Sequence, residues 1–254
     1  SLVSLVTNIT KLLQNSAGAA VEREIFVGRR ERKYYMRVTE ALMLQKELDI
    51  LLKRDSHSAR GAYRVKSLYF DSYTNQDYFE KLGGFERRKK IRLRIYDEND
   101  RAVKLELKEK QGESQQKHSL LLSRDDAEHM MKGDYGILLS KQEKIAGRIY
   151  NILRQGGYRP AVIVEYDRTA YVYQNYSTRI TFDSRVRSEE VCLDLFRKGQ
   201  YRQVDDGNFV ILEVKYNGYL AGFIGSILQK YCLDQVSVSK YGEGRPIFAD
   251  GLMI

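Results

Sequence analysis

The sequence is poor in the residues that build metal clusters, disulfide frameworks and linkers. Its 254 residues include two cysteines, three histidines, two prolines and no tryptophan. Cys192 and Cys232 form no zinc or disulfide motif, which fits a reducing, cytoplasmic compartment. His57, His118 and His129 stand in unrelated contexts, with no Ser/His/Asp arrangement around them. No Pro-rich or low-complexity stretch marks a linker, so a single domain is expected.

Long hydrophobic runs are absent as well. The apolar start of the chain, SLVSLVTNITKLLQ, is interrupted by Asn8 and Lys11 and is too short to cross a bilayer. It also lacks the basic flank of a signal peptide. We therefore predict a helical or flexible N-terminal segment over residues 1–24 and one folded domain over residues 25–254. We expect no transmembrane segment and a cytoplasmic location.

Positive charge, in contrast, is in excess. The chain carries 43 Lys+Arg against 34 Asp+Glu, a formal net charge of +9 and a pI near 9.3. This balance favours an anionic partner such as a phosphate compound, nucleic acid or a membrane surface, although it can also serve solubility alone. The hydrophobic fraction of 43% is enough for a substantial core.

The cations recur at strand spacing. In KKIRLRIY, residues 89–96, Lys90, Arg92 and Arg94 alternate with aliphatic residues. Because successive side chains of a strand point to opposite faces, such a strand is cationic on one face and aliphatic on the other. Similar alternation occurs in RRERKYYM (29–36), VKLELKEK (103–110), TRITFDSRVR (178–187) and ILEVKY (211–216).

Helices and further strands complete a predicted α+β fold. YRVKSLYFD (63–71) and PAVIVEYDRTAYVY (160–173) are rich in strand-forming residues. Four helices are predicted: one after Thr39, one opened by a capping box of Ser123 and Asp126, one opened by Ser140 with Glu143, and one in GYLAGFIGSILQKYCL (218–233). About seven or eight strands with turn-length gaps indicate an antiparallel sheet with helices interspersed.

The charged face allows two interpretations. In an open antiparallel sheet it would face water. Many neighbouring cations on an open surface would repel one another, however, and gain little. A closed barrel of about eight strands would instead turn them into a polar tunnel, with helices packed outside over the aliphatic face. Such a tunnel suits a polyanion, and carboxylates among the cations suit a divalent ion that bridges phosphate oxygens. Neither a P-loop nor a dinucleotide-binding motif is present.

The segments resemble a known family when taken in order. From about residue 25 to about residue 248 the chain resembles the VTC domain, the catalytic domain of vacuolar transporter chaperone polyphosphate polymerases, within the triphosphate tunnel metalloenzymes that include the CYTH proteins. It resembles a free-standing bacterial-type member. The resemblance is carried by ERKYYM (31–36), VKSLYFDS (65–72), IRLRIY (91–96), LELKEK (105–110), EYDRTAY (165–171), TRITFD (178–183), ILEVKY (211–216) and VSKYGEG (238–244).

The resemblance implies site residues and a reaction. The implied catalytic residues are Arg92, Arg94, Arg168, Arg179 and Lys240; the implied substrate-binding residues are Lys33, Lys81, Lys108, Lys117 and Ser239; the implied metal ligands are Glu213 and, in support, Glu106. The expected reaction transfers the γ-phosphoryl group of a nucleoside triphosphate, with ATP favoured, to growing polyphosphate, with Mn²⁺ or Mg²⁺ as cofactor. Ser237 stands where eukaryotic members carry a second lysine, which removes one cation.

Three alternatives remain open at this point. A triphosphatase on the same scaffold would use water as the acceptor of the phosphoryl group, and its tunnel residues would look nearly the same. A binding module for polyphosphate or inositol phosphates would not turn over its ligand. Nucleic-acid binding would use the 19 tyrosines for base stacking, but the cations alternate with aliphatic residues rather than aromatic ones, so no nucleic acid is expected. Lys110, Arg185 and Arg187 fall near strand ends and are expected in solvent.

Overall fold

The computed structural model describes residues 29–112, 114–246 and 248. The predicted segment over residues 1–24 lies outside them. The described chain is a mixed α+β structure dominated by one antiparallel sheet. Its strands are β1 (Arg29–Arg37), β2 (Lys53–Arg54), β3 (Tyr63–Ser72), β4 (Arg87–Ile95), β5 (Ala102–Gln111), β6 (Ser114–Ser123), β7 (Tyr158–Tyr173), β8 (Thr178–Glu189), β9 (Arg202–Gln203) and β10 (Phe209–Asn217).

Helices connect the strands. They are α1 (Val38–Leu51), α2 (Gln76–Leu82), α3 (Arg124–Met131), α4 (Lys144–Gln155), α5 (Gly222–Gln229) and α6 (Lys240–Glu243). The capping box of Ser123 and Asp126 at the start of α3 is confirmed. The predicted helix start at Ser140 is wrong, because Gly136–Ser140 form a 3₁₀ helix and α4 begins at Lys144. No helix within the described ranges is long and apolar enough to cross a membrane.

The hydrogen-bonded path of the sheet runs β1-β10-β8-β7-β3-β4-β5-β6, with β2 beside β7 and β9 beside β8. The predicted closure into a barrel is not confirmed by backbone pairing. β1 and β6 stand at the two ends of this path, and no pairing joins them in the described part of the chain. A segment near the C-terminus bonds to β1 instead. Tyr34 pairs with Gln235, and the Val236 amide donates to the Lys33 carbonyl at 2.8 Å.

The aliphatic face of the sheet is covered by helices on its outer side. One core cluster packs Leu93, Leu105 and their neighbours on β4 and β5 against α3 and α4. A second packs Leu212 and Val214 of β10 against α1 and α5. Full burial of one such aliphatic side chain contributes on the order of 1.5–3 kcal/mol, so this face accounts for much of the driving force of folding.

The opposite, inner face is polar except for one patch. Val65 and Tyr69 of β3 and Val164 of β7 form a third core cluster with Val238 and Tyr241 from the C-terminal region. Residues 238–241 therefore pack against the inner face of the sheet rather than outside it. This packing places α6 beside the charged side chains of the same face.

Candidate functional site

The strand registers place the predicted charged residues on the inner face. Lys33 of β1 lies opposite Glu213 of β10. Arg92 of β4 lies opposite Glu106 of β5. Because side chains of directly paired residues share a face, the period-two patterns read from the sequence align across neighbouring strands.

Glu106 is the centre of one group of cations, here called the Glu106 group. The Nε of Arg92 lies 2.6 Å from Glu106 Oε2, and an Nη of Arg94 lies 3.7 Å from the same oxygen. Lys117 contacts Oε1. Arg92 also donates to the Tyr69 hydroxyl at 2.9 Å. Burial alone would raise the pKa of Glu106, but the charges of Arg92, Arg94 and Lys117 outweigh it and hold that pKa well below its usual range.

Asp183 on β8 is the centre of a second group, the Asp183 group. Arg168 forms a two-point contact with its carboxylate, from Nε to Oδ1 at 2.6 Å and from Nη2 to Oδ2 at 2.7 Å. Lys240, the first residue of α6, places its Nζ 2.6 Å from Oδ2. Both cations also lie over the Tyr166 ring, at 5.2 and 4.9 Å from its centroid. Burial opposes ionisation of Asp183, but the two cations lower its pKa to about 2.

Glu213 lies beside the Asp183 group. Its carboxylate is 2.8 Å from the Lys215 ammonium, 3.4 Å from that of Lys33 and 3.9 Å from an Nη of Arg168. Glu31 contacts both lysines, at 3.1 Å from Lys33 and 3.9 Å from Lys215. Burial would raise the pKa of Glu213, but Lys215 and Lys33 hold it well below its usual range. Glu213 is therefore a buried, ionised carboxylate surrounded by cations.

An open cavity of about 630 Å³, here called the basic cleft, adjoins these groups. Nine lysines and arginines line it, whereas Glu31 is its one carboxylate among the described residues. The cations are Arg30, Arg32, Lys33, Lys81, Arg88, Lys89, Lys90, Lys108 and Lys110. Residues 235–238 line another part of the wall. A cavity with this lining attracts anions and repels cations.

Three lysines of the cleft have weak partners. Lys90 donates to the Ser239 hydroxyl at 2.5 Å, and Lys81 donates to the Ser237 carbonyl and hydroxyl at 3.0 Å. Lys108 lies 3.5 Å from Glu31.

The pKa values of these lysines reflect their surroundings. Burial and the nearby charges of Lys33 and Lys108 lower the pKa of Lys90 well below its usual value. Burial, with Lys33 and Lys215 acting against the attraction of Glu31, lowers the pKa of Lys108 to about 8. Burial and Arg88 also lower the pKa of Lys81. Within the described residues Lys90 and Lys81 have no carboxylate partner and Lys108 has Glu31 at 3.5 Å, so a bound anion would add counter-charge to all three.

The structure brings most of the predicted site residues into three neighbouring sets. Glu106 is surrounded by Arg92, Arg94 and Lys117. Asp183 and Glu213 are surrounded by Arg168, Lys240 and Lys33. The basic cleft adjoins Lys81, Lys108 and Ser239. Arg179 is engaged elsewhere. Its Nη2 lies 2.5 Å from Asp55 and 3.3 Å from the Tyr63 hydroxyl. Its role as a phosphate ligand stays a prediction.

Other contributors were not singled out from the sequence. Lys90 was part of the alternating pattern but received no role, although its spacing of two from Arg92 already placed it on the same face. Asp183 belongs to the TRITFD segment, where the same spacing was available. Lys110 lines the cleft, whereas it was expected in solvent. Arg185 is exposed, as expected, and contacts Asp167.

The carboxylates fit a divalent ion that arrives with phosphate. Within the described ranges no three His, Cys, Asp or Glu side chains converge as a metal cluster. Mg²⁺ typically takes only one or two protein carboxylates and completes its shell with water and substrate phosphates. Glu213 and Glu31, which bracket Lys33 and Lys215, provide that donor set. All three carboxylates contact cations through both oxygens, but those of Glu106 are closer, with Arg92 at 2.6 Å and Lys117 nearer still, whereas the nearest cation to Glu213 or Glu31 lies at 2.8 Å.

Solved structures resemble the chain at low sequence identity. The crystal structure of a "putative adenylate cyclase" from Bacillus halodurans is 13% identical, with a TM-score of 0.50, and the match covers 84% of this chain and 95% of that one. A protein with the same description from Vibrio parahaemolyticus is 12% identical, with a TM-score of 0.46 over 85% of this chain and 96% of that one. The first likeness shows a common fold. No curated protein matched the chain.

The chain is thus an α+β protein whose antiparallel sheet presents clustered cations on its inner face. The sequence profile of the VTC domain matches residues 28–248, most of the chain. The chain belongs to the VTC domain family.

Proposed function

We propose that this protein is a polyphosphate polymerase that transfers the γ-phosphoryl group of ATP to a growing polyphosphate chain. The observation that carries the proposal is the lining of the basic cleft, with nine cationic side chains and one carboxylate. A triphosphate needs only a few of these cations, and the Glu106 and Asp183 groups add more on the same face. A polyanion longer than a triphosphate makes use of the whole set.

The reaction breaks the bond between the γ-phosphorus and the bridging oxygen of ATP. It forms a bond from the same phosphorus to a terminal oxygen of polyphosphate, or of orthophosphate at initiation, and ADP leaves with the bonding electron pair. Such transfers need positioning and charge stabilisation rather than a protein nucleophile. Arg92 and Arg94 would bind the transferring group by charge-assisted hydrogen bonds, with Arg168 and Lys240 on its other side. Lys33, Lys90 and Lys108 would hold the remaining phosphates.

A divalent cation, Mn²⁺ or Mg²⁺, would be held by Glu213 with Glu31 and would neutralise charge on the phosphate oxygens. In that arrangement Lys33 and Lys215 hold both carboxylates in place and favour the ionised form of Glu213. Glu106 instead serves to orient Arg92, Arg94 and Lys117, because its oxygens contact all three.

We further propose that side chains, rather than backbone pairing, complete a tunnel. Lys108 of β5 reaches Glu31 of β1 at 3.5 Å, although these strands stand near opposite ends of the hydrogen-bonded path. The contact indicates that the sheet curves until its far strands approach each other. A curved sheet would limit the access of water, which otherwise competes as the acceptor.

The test is incubation of the purified protein with ATP and Mn²⁺, followed by measurement of ADP, orthophosphate and acid-insoluble polyphosphate. We expect ADP and polyphosphate in matching phosphate amounts. Orthophosphate as the only new phosphate product would identify a triphosphatase instead. ATP binding without ADP release would identify a binding module. Binding of single-stranded nucleic acid that tripolyphosphate does not displace would contradict a phosphate-chain site.

Glu213→Gln separates metal chemistry from anion binding. We expect ADP release to fall on the order of 10²-fold or more, because the proposed metal ligand is lost. Tripolyphosphate should still bind without metal, since every cation remains and one negative charge is gone. Glu143→Gln, an exposed carboxylate just before α4, is the matched control and should leave both measurements unchanged. Retained turnover in Glu213→Gln would remove this residue from the metal site.

A further inference from the structure

A second cavity, of about 270 Å³, lies beside the basic cleft; we call it the outer groove. It shares Arg88, Lys89 and Lys110 with the cleft. In the pairing of β4 with β5, Arg88 lies opposite Lys110, on the same face as Lys90 and Arg92. Arg87 lies opposite Gln111, on the other face of the sheet. The shared residues therefore form a rim between a cavity on the inner face and a cavity on the outer face.

The outer groove has its own cations. Arg87 contributes from β4 and Arg148 from α4, which packs on the outer face. Arg87 forms no ion pair within the described residues, and Arg148 contacts Glu109 at 2.8 Å. The second oxygen of Glu109 is buried and has no hydrogen-bond partner. With Glu80 also present, five cations face two carboxylates across the groove.

The neutral polar lining fits an extended phosphate chain. Gln111, Ser114 and Gln116 contribute amide and hydroxyl donors between the cations. Such donors hydrogen-bond phosphate oxygens without adding like charge. The groove is more exposed and less crowded with cations than the cleft, so a ligand would bind it more weakly and leave it more readily.

We propose that the outer groove is a second polyanion subsite, which holds the part of a polyphosphate chain that extends over the rim from the basic cleft. This inference rests on the proposed function, because it requires a polyphosphate chain in the cleft. Two linked sites raise the affinity for a ligand long enough to reach both, whereas a short ligand gains nothing. The subsite therefore selects chain length.

The test compares tripolyphosphate with one size fraction of long-chain polyphosphate, by calorimetry at constant salt. The variants are Arg87→Gln and the double variant Arg87→Gln/Arg148→Gln. The control is Lys46→Gln/Arg154→Gln, which removes two charges from exposed positions on α1 and α4 outside the groove. We expect the groove double variant to lose about tenfold in affinity for the long chain. Its affinity for tripolyphosphate and its melting temperature should stay near those of the control.

The outcomes separate this inference from the proposed function. A wild-type protein that binds neither ligand contradicts both. Wild-type binding of both ligands, with an unchanged affinity ratio in the groove variants, overturns the subsite alone. An equal loss of affinity for both ligands also overturns the subsite, because the groove cations would then act only by changing the electrostatic potential in the basic cleft. Arg87→Gln alone, which leaves the contact between Arg148 and Glu109 intact, should show a smaller loss of the same kind.

Discussion

The paired cations and the cleft lysines Lys81, Lys90 and Lys108 lie near one another but differ in their electrostatics. Arg168 and Lys240 both contact Asp183 within 2.7 Å, and Arg92 contacts Glu106 at 2.6 Å. Lys90 and Lys81, in contrast, contact only hydroxyl and carbonyl oxygens within the described chain. The positive charges of the first set are balanced by carboxylates in the absence of a ligand. The positive charges of Lys90 and Lys81 are not.

This difference predicts different roles for the two sets. Buried ions without counter-charge are costly, and a group in that position lowers its pKa or binds an opposite charge. The pKa values of Lys90, Lys81 and Lys108 are lowered, whereas nearby carboxylates raise that of Lys33. Loss of a carboxylate from the paired set should therefore affect the stability of the fold most, and loss of a cleft lysine should affect anion binding most.

The largest expected effect is on the stability of the paired set. Asp183→Asn leaves the buried charges of Arg168 and Lys240 without their carboxylate. Removal of one member of a buried ion pair costs about 3–5 kcal/mol of the free energy of unfolding. Urea titration measures this loss, with Asp234→Asn, at an exposed position, as the control. A loss no larger than that of the control would show that the pair does not hold the structure.

Substitution of a cleft lysine should weaken anion binding without a loss of stability. Lys90→Met removes one charge-assisted contact to phosphate, worth on the order of 1.5–3 kcal/mol of binding free energy. The free energy of unfolding should stay constant or rise, because an ammonium group repelled by its neighbours is removed. Calorimetry with tripolyphosphate and urea titration measure the two quantities, with Lys46→Met as the control. A loss of stability without a loss of affinity would invert the comparison.

The smallest expected effect is the uptake of a fraction of a proton when the anion binds. The pKa of Lys108 is about 8 in the free protein, and a bound anion should raise it. At pH of about 8.5, tripolyphosphate binding should therefore take up protons, because a lysine that is largely neutral becomes charged. Calorimetry in two buffers with different ionisation enthalpies measures the uptake. It should be smaller in Lys108→Met; an unchanged uptake would show that other groups take up the protons.

Local patterns predicted much of the fold. Period-two alternation located β1, β4, β5, β8 and β10, because a strand with one buried face must alternate in polarity. The capping box located the start of α3, since Ser123 and Asp126 satisfy the free amides of the first turn. The start of α4 was missed. Ser140, the predicted N-cap of α4, instead ends a 3₁₀ helix, and the Ser140 hydroxyl donates to the Ile137 carbonyl.

The residues of the site were predicted better than the ion pairs that they form. Alternation placed Arg92, Arg94 and Lys108 on one face, and the family resemblance added Lys240 and Glu213. Which carboxylate holds which cation depends on the register between strands distant in sequence. Lys33 and Glu213 meet through the pairing of β1 with β10, and Lys240 reaches Asp183 from α6. No local signal specifies these contacts.

The sequence by itself determined the family, the two-faced strands and the excess of positive charge, since these follow from residue identity and spacing. Tertiary structure alone decided which cations are paired with carboxylates and which are not. Coulomb energies depend on distances of a few ångströms and on burial, and both are set when β1, the inner face of the sheet and residues 235–240 pack together.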